Sequence, residues 1–120
     1  MQYTIKEAEQ ASGVSAYRIR YYDGKGLIPD LQRDKNNNRI FNDASLDIIR
    51  LINCFRLTDM PLKQIRQYIA LLDQGAEGRA GRLAIMSDHQ EELQDKADLL
   101  ATNLAIVQQK IADLNNNIYD

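Results

Sequence analysis

The chain has 120 residues, 44% of them hydrophobic, which is enough for one small domain or a domain with an extension. Its net charge of −2 argues, by itself, against a nucleic-acid-binding protein. The charge is uneven, however: residues 1–75 carry 11 Lys and Arg against 9 Asp and Glu, a net +2, whereas residues 76–120 carry 4 against 8, a net −4. The charge of a local patch matters more for binding than the net charge of the chain, because salt screens charges from one another beyond roughly 8–10 Å.

Several classes of protein are disfavoured by what the sequence lacks. A single cysteine excludes an intramolecular disulfide and suits a reducing compartment, so we expect a cytoplasmic protein. The sequence has neither an apolar run of about 18 residues nor a signal-peptide core at its start, which predicts no membrane segment. A glycine-rich phosphate loop and a Ser-His-Asp set are also missing, so we do not expect an enzyme.

Two short helices are predicted near the N-terminus. Thr4 and Glu7 form a T-x-x-E capping box that begins a helix over about 4–12, and Gly13 ends it. Ser15 is a good N-cap for a second helix within 14–28, which the glycines after it terminate. Two short helices joined by a tight turn that contains glycine are typical of a helix-turn-helix.

The second helix has two different faces. At about 100° per residue, its basic and aromatic residues share one broad side, while Ile19 and Tyr22 lie on the other. The shared side consists of Tyr17, Arg18, Arg20 and Tyr21. A helix that buries one side and presents cations and aromatic hydroxyls on the other suits a nucleic-acid groove.

Residues 30–41 predict a basic hairpin, or wing. Two short β-like runs flank an asparagine-rich tip, and asparagine tolerates the left-handed backbone that a tight turn needs. Arg33 and Arg39 lie on the flanks and Lys35 at the tip. An ordinary solvated hairpin is the alternative interpretation.

Two further helices complete the predicted N-terminal domain, 1–75. The first, about 43–57, is capped by Asn42 or Asp43, and Pro61 begins the second, about 61–73. Their apolar stripes are Ile48, Ile49, Ile52 and Phe55, then Leu62, Ile65, Ile69 and Leu72. The glycine-punctuated stretch that follows predicts a linker at 76–81.

The clearest periodicity lies in residues 82–120. Apolar residues recur at 3-4-3-4 spacing over about five heptads, which predicts a coiled-coil helix of roughly 50 Å. Such a helix needs a partner, most simply a second copy of the chain. The predicted dimer contacts are Leu93, Ala97, Leu100, Leu104, Val107, Ile111 and Leu114.

Four segments together resemble the MerR family of transcriptional regulators: 3–28, the wing 33–41, 51–65 and the terminal helix. The run Arg20-Tyr21-Tyr22-Asp23, followed by Gly26-Leu27-Ile28, is the most specific part of this similarity. The resemblance implies a mainly α winged helix-turn-helix domain and an antiparallel coiled-coil homodimer. It also implies binding to double-stranded promoter DNA, which is bent and untwisted so that RNA polymerase engages both promoter elements.

Carried over by position, the resemblance implies DNA contacts from the second helix, the wing and the fourth helix. These residues are Ser15, Ala16, Tyr17, Arg18, Arg20, Tyr21, Arg33, Lys35, Asn37, Arg39 and Lys63. Arg18 is the best candidate for base reading, because arginine pairs bidentately with guanine. The family's wing tip usually carries glycine, and Asn37 or Asn38 stands there in this chain.

The sequence is compatible with more than one kind of effector. The family's metal sensors carry cysteines near the end of the long helix, where this chain has none, so we expect no metal or other cofactor. The context of Cys54 resembles the thiol- and aldehyde-responsive NmlR/AdhR-like branch, and Arg50 one turn earlier would favour thiolate. Three alternatives stay open: an inert cysteine, a non-cysteine small-molecule effector, and a coiled-coil adaptor that binds protein instead of DNA.

Overall fold

A computed structural model of the chain describes residues 1–118. Within that range the chain forms five α-helices and three short strands, and it divides into a unit that spans 1–82 and a second unit that begins at Leu83. The elements in order are β1 (Gln2–Tyr3), α1 (Ile5–Ser12), α2 (Ala16–Gly24), β2 (Gln32–Arg33), β3 (Arg39–Asn42), α3 (Asp43–Leu57), α4 (Leu62–Ala70) and α5 (Gly75–Asn115). The mainly α winged helix-turn-helix fold with a long C-terminal helix is confirmed.

Local capping fixes where the first helices begin and end. Thr4 accepts from the Glu7 amide while the Glu7 side chain accepts from the Thr4 amide, so the predicted capping box is present. Gly13 ends α1 in the left-handed conformation at φ 75°, where a side chain would be strained. Asn42 caps α3 through a reciprocal pair of hydrogen bonds with Ser45.

The small sheet has the strand order β1-β3-β2, with both neighbours antiparallel. The sequence predicted the hairpin of β2 and β3 but not β1, in which Tyr3 pairs with Phe41. The Tyr3 hydroxyl also donates to Asp43 at 2.8 Å, and this hydrogen bond raises the pKa of Tyr3. The N-terminus is therefore attached to both the sheet and the start of α3.

The core of the first unit is made by side chains from all of its helices and from β3. Phe41 of β3 is completely buried. Ile49, Ile52 and Ile65 are also completely buried, as the predicted stripes of α3 and α4 require, whereas Ile48 is half-buried. The buried apolar residues are Ala8, Val14, Ile19, Tyr22, Leu27, Ile28, Phe41, Leu46, Ile49, Ile52, Phe55, Met60, Ile65 and Ile69. At about 25 cal/mol per Å² of apolar surface removed from water, this burial is the main stabilising term.

The predicted linker at 76–81 is helical, which corrects the sequence interpretation. α5 begins at Gly75, and its first turns pack against the segment after α4. A Cβ at Gly81 would lie 2.8 Å from the Leu71 side chain, and one at Gly78 would collide with the Leu71 carbonyl oxygen. Arg82 donates to that same carbonyl at 2.9 Å. These glycines therefore permit close packing inside a helix and do not interrupt it.

The far end of α5 is also shorter than predicted. The helix ends at Asn115, and Asn117, at φ 60°, closes it, with the Ile118 amide donating to Asp113. Residues 119–120, which the prediction included in the helix, lie outside the described residues. α4 likewise ends at Ala70, so Leu72 of its predicted stripe lies in the following turn.

Candidate nucleic-acid interface

The start of α2 is held by two acceptors that belong to the protein itself. The Ser15 hydroxyl accepts from the Arg18 amide at 3.2 Å, as an N-cap should. The Glu9 carboxylate of α1 accepts from the Ala16 amide at 2.6 Å. A carboxylate at a helix N-terminus is favoured by the helix dipole, so Glu9 ties the two helices together at this turn.

The two faces of α2 are separated as predicted. Ile19 is fully buried and Tyr22 is 4% exposed, and burial is the main reason that the pKa of Tyr22 is raised. On the opposite face, Tyr17 is 79% exposed and Tyr21 is 45% exposed, and both arginines are exposed as well. The exposed face of α2 therefore combines aromatic hydroxyls and cations, the two kinds of group that the sequence predicted there.

Each exposed side chain of α2 has a different local environment. Arg18 donates to the Asn53 side-chain oxygen of α3 at 3.4 Å, a long and exposed hydrogen bond. The Tyr21 ring lies 5.6 Å from the Lys25 ammonium, within the range of a cation–π contact. Within residues 1–118, no hydrogen bond or ion pair occupies the Arg20 guanidinium. Arg18 and Arg20 are therefore available to a ligand at little cost.

The wing turn is built around Asp34. Its carboxylate accepts from the amides of Asn36 and Asn38, both at 2.9 Å, and the Asn38 amide contributes most to lowering the pKa of Asp34. Asn37 adopts φ 65°, the left-handed conformation expected at the tip. Lys35 is exposed beside it. The tip is therefore an ordered loop that presents a lysine.

The two wing arginines are both held by Asp23, in the last turn of α2. Arg39 donates through Nε to the Asp23 carboxylate at 2.7 Å, and Arg33 lies 3.8 Å from the same oxygen. Arg33 also donates to the Asn37 carbonyl at 2.8 Å. The Asp23 and Arg39 side chains are only 19% and 22% exposed, so solvent screens this pair less than a surface ion pair.

A basic cleft of about 670 Å³ lies between the N-terminal segment, α2 and the wing. Four of the predicted DNA contacts line it together: Arg20, Arg33, Asn37 and Arg39. Its lining includes the cations Lys6, Arg20, Arg33 and Arg39 against the carboxylates Glu7 and Asp34. This excess of positive charge, in a concave surface beside α2, is suited to an anionic backbone.

The remaining predicted contacts lie outside this cleft. Arg18 and Tyr21 line a neighbouring depression of about 260 Å³ together with Tyr22, Asn53, Arg56 and Leu57. Lys63 is exposed near the start of α4. Also on α4, Arg66 donates to the Lys25 carbonyl at 2.6 Å, which fastens the end of α2. Sequence reasoning missed Glu9, Asp23 and Arg66, because each acts through a partner at least seven residues away.

The surroundings of Cys54 fit the thiol hypothesis only in part. Cys54 is exposed on α3, which a reactive thiol requires. Arg50, however, is engaged elsewhere: its guanidinium donates to the Ala11 carbonyl at 2.8 Å and to Asp47 at 3.2 Å. Among the described residues, no group of three His, Cys, Asp or Glu side chains could hold a metal ion.

In the second unit, the predicted coiled-coil contacts are exposed to solvent in the single chain. Leu100 is 62% exposed, Leu104 52% and Val107 55%, and Ile111 and Leu114 are similar, whereas Leu93 is 37% exposed. Among the described residues, no helix has both the length and the apolarity to cross a membrane. An apolar stripe exposed along a charged helix is typical of an interaction surface.

Comparison with known proteins decides the family. The family model described as "MerR HTH family regulatory protein" matches residues 3–72, which is more than half of the chain. The chain belongs to the MerR family. An uncharacterised HTH-type transcriptional regulator of Haemophilus influenzae is 31% identical over 112 residues, covering 93% of this chain and 83% of that protein. The regulator AdhR of Bacillus subtilis is 26% identical, covering 74% of this chain and 64% of its own.

Solved structures place this MerR-family chain among DNA-binding regulators. The crystal structure of HiNmlR, described as a MerR family regulator lacking the sensor domain and bound to promoter DNA, superposes with a TM-score of 0.67 at 30% identity. That alignment covers 97% of this chain and 92% of HiNmlR. A MerR-family regulator from Bacillus thuringiensis gives a TM-score of 0.68 at 34% identity, covering 94% and 99%. The chain is thus a transcriptional regulator, and these relatives are regulators, not enzymes.

Proposed function

We propose that the chain acts as a homodimer that binds promoter DNA, with α2 in the major groove and the wing on the flanking backbone. The observation that carries this proposal is the exposed face of α2, where Tyr17, Arg18 and Arg20 project opposite the buried Ile19 and Tyr22. The adjoining basic cleft extends the same surface to the wing. The relative HiNmlR, solved on promoter DNA, supports this assignment.

Within this interface, we assign the residues two roles. Arg18, Tyr17 and Ala16 lie on the first turns of α2, where a helix in the groove reaches base edges. Arg20 and the two wing arginines suit phosphates, since they line a concave basic surface, and Lys35 offers an exposed cation at the wing tip. Ser15 caps the helix, Tyr21 flanks it, and Asn37 shapes the wing tip, whereas Lys63 offers a further exposed cation.

The test is a binding titration with the duplex upstream of the protein's own gene, repeated at several salt concentrations. We expect specific binding that weakens by about 0.9 in log K per log salt for each phosphate contacted. Arg18→Ala should lower the preference for this duplex over a scrambled one, at a cost of about 1–3 kcal/mol. Lys35→Ala is the matched control, because it should weaken binding to both duplexes equally. Salt-insensitive binding, or none, would instead favour the coiled-coil adaptor.

The proposed dimer has the geometry that binding to two half-sites requires. Two recognition helices held at a fixed distance contact two half-sites about one helical turn apart, roughly 34–36 Å. The seam formed by Leu93, Ala97, Leu100, Leu104, Val107, Ile111 and Leu114 has the spacing that a second copy would cover. As the family resemblance implies, the bound dimer would bend and untwist the promoter for RNA polymerase. A duplex with fluorophores at both ends would report this distortion as a change in energy transfer.

Regulation through Cys54 remains a prediction, supported by the exposure of its thiol. A small-molecule effector that does not use cysteine is the alternative. The deciding comparison is promoter output in cells that carry the protein or its Cys54→Ser variant, with and without formaldehyde or methylglyoxal. Loss of the response in the variant, with unchanged DNA affinity, assigns the signal to Cys54. An unchanged response assigns it elsewhere.

A further inference from the structure

The last turn of α2 contains a carboxylate in a locally unfavourable position. Asp23 precedes the final residue of the helix, where the dipole favours cations, and that turn contains no basic residue. Asp23 also adds negative charge to the element proposed to enter the groove of an anionic ligand. Neither property benefits α2 or DNA binding by itself, so the reason for Asp23 must be found in its tertiary contacts.

Those contacts are with the two wing arginines, which lie 10 and 16 positions further along the chain. Arg39 uses only its Nε–H on Asp23, and a guanidinium has five N–H donors. Arg33 has one terminal nitrogen on the Asn37 carbonyl and the other near Asp23. Both guanidinium groups are therefore oriented by Asp23 while they keep donors that can face the basic cleft.

We propose that Asp23 is a positioning residue for DNA binding: it holds Arg33 and Arg39 together, so that they face the basic cleft beside Arg20 as a preorganised phosphate-binding group. Without this restraint, two long side chains on a short hairpin would each lose rotamer freedom on binding. With the restraint, the two side chains have already lost part of this rotamer freedom in the free protein, so binding costs less conformational entropy. The inference deepens the proposed function and rests on it for one of its two readouts.

The first readout does not require DNA. In the free protein, the wing amides that report on β2–β3 pairing include Asp34, which donates to Asn38, and Asn37, which donates to Asp34. Asp23→Asn should increase hydrogen exchange of these amides by about fivefold, since it removes the charge from a partly shielded ion pair. Exchange of the buried α3 amides should not change.

Two variants serve as controls. Asp30→Asn removes a nearby exposed carboxylate whose side chain holds no arginine, and asparagine accepts its backbone φ of 56°. It should leave wing exchange unchanged. Asp23→Glu keeps the carboxylate on a longer stem and should restore most of the wing protection. Faster exchange throughout the domain in Asp23→Asn would mark a general stability residue and overturn the proposal, as would no change in the wing.

The second readout is the salt dependence of binding to the promoter duplex. If the net charge of the interface alone set the affinity, removal of a carboxylate should strengthen binding to DNA. The Asp30→Asn control measures that effect of charge. Positioning predicts the opposite: Asp23→Asn should weaken binding about tenfold and reduce the salt slope by about one to two, because two phosphate contacts are lost. Equal or tighter binding overturns the inference. If the unaltered protein binds no DNA, the proposed function fails, and wing exchange alone decides whether Asp23 organises the wing.

Discussion

The two units of this chain differ in how far their apolar residues are buried. The N-terminal unit buries fourteen of them among its own helices and sheet, with Phe41 and Ile49 fully shielded. In the second unit, most leucines and isoleucines remain more than half exposed along one helix, Leu100 and Ile111 among them. The first unit can therefore be stabilised by its own core, whereas the second leaves apolar surface that our proposal assigns to a second copy of the chain.

This difference explains the division of function that we propose. A domain with its own core can hold α2, the wing and the basic cleft in a fixed geometry in the single chain. In the dimer that we propose, the apolar seam of α5 would be buried only when a second copy is present, so dimer formation would depend on the concentration of the chain. The proposal thus assigns DNA-binding geometry and oligomeric state to separate segments.

The largest effect on stability is expected from a core truncation in the first unit. Phe41→Ala should lower the free energy of unfolding by about 3–5 kcal/mol, because it removes a fully buried ring and leaves a cavity. Leu57→Ala, at an exposed position of the same unit, should change it by no more than about 0.5 kcal/mol. Urea unfolding of the two variants measures this. Similar losses would mean that Leu57 is buried in solution.

The predicted dimer contacts along α5 can be disrupted by substitutions that lie outside the first unit. Leu100→Asp with Leu104→Asp should raise the dimer dissociation constant about 100-fold or more, because two charges would enter an apolar seam. Specific DNA binding should fall with it. Sedimentation equilibrium gives the dissociation constants directly.

The matched control is Leu99→Asp with Ile106→Asp, two equally exposed positions on the same helix but off the seam. It should remain dimeric. A monomer in both variants, or a dimer in both, would show that the 3-4-3-4 seam is not the dimer interface.

A single added methyl group tests the observation that the glycine-rich segment 75–81 is helical. Gly78→Ala should cost about 1–3 kcal/mol of unfolding free energy, because the new Cβ would meet the Leu71 backbone, which cannot rotate away. Gly24→Ala is the control, since its Cβ would meet no atom within 4 Å and alanine favours helix. Thermal unfolding ranks the two. If Gly78→Ala is tolerated as well as Gly24→Ala, the result would favour the predicted linker at 76–81 over the helix.

The smallest expected effect is a pH dependence of the wing turn. Because the folded-state pKa of Asp34 is lowered, its stabilising hydrogen bonds are fully present above the unfolded value, about 3.9, and are lost as the pH falls through the folded value. The amide shifts of Asn36 and Asn38 should therefore move below about pH 4, while those of α3 stay constant. Asp34→Ala should abolish that titration.

Much of the site could be predicted from the sequence, because its signals are local. The caps at Thr4 and Ser15, the opposite faces of α2 and the left-handed turn at Asn37 each depend on residues within one or two turns of one another. The residues that hold the site together could not be predicted. Glu9, Asp23 and Arg66 act across 7 to 41 positions, and no local pattern marks their partners.

The sequence by itself determined the presence of the helices, the caps of the first three, the excess of basic residues in 1–75 and the apolar seam, since each follows from composition, periodicity or short-range hydrogen bonding. Only the tertiary structure decided that two residues at the N-terminus form a strand, because that strand exists through its pairing with Phe41 and Asn42. It also showed that Gly78 and Gly81 allow close packing on Leu71. The Asp23 contact with Arg33 and Arg39 belongs to the same class: a carboxylate that is unfavourable in its own helix is stabilised by charges that only the fold brings near.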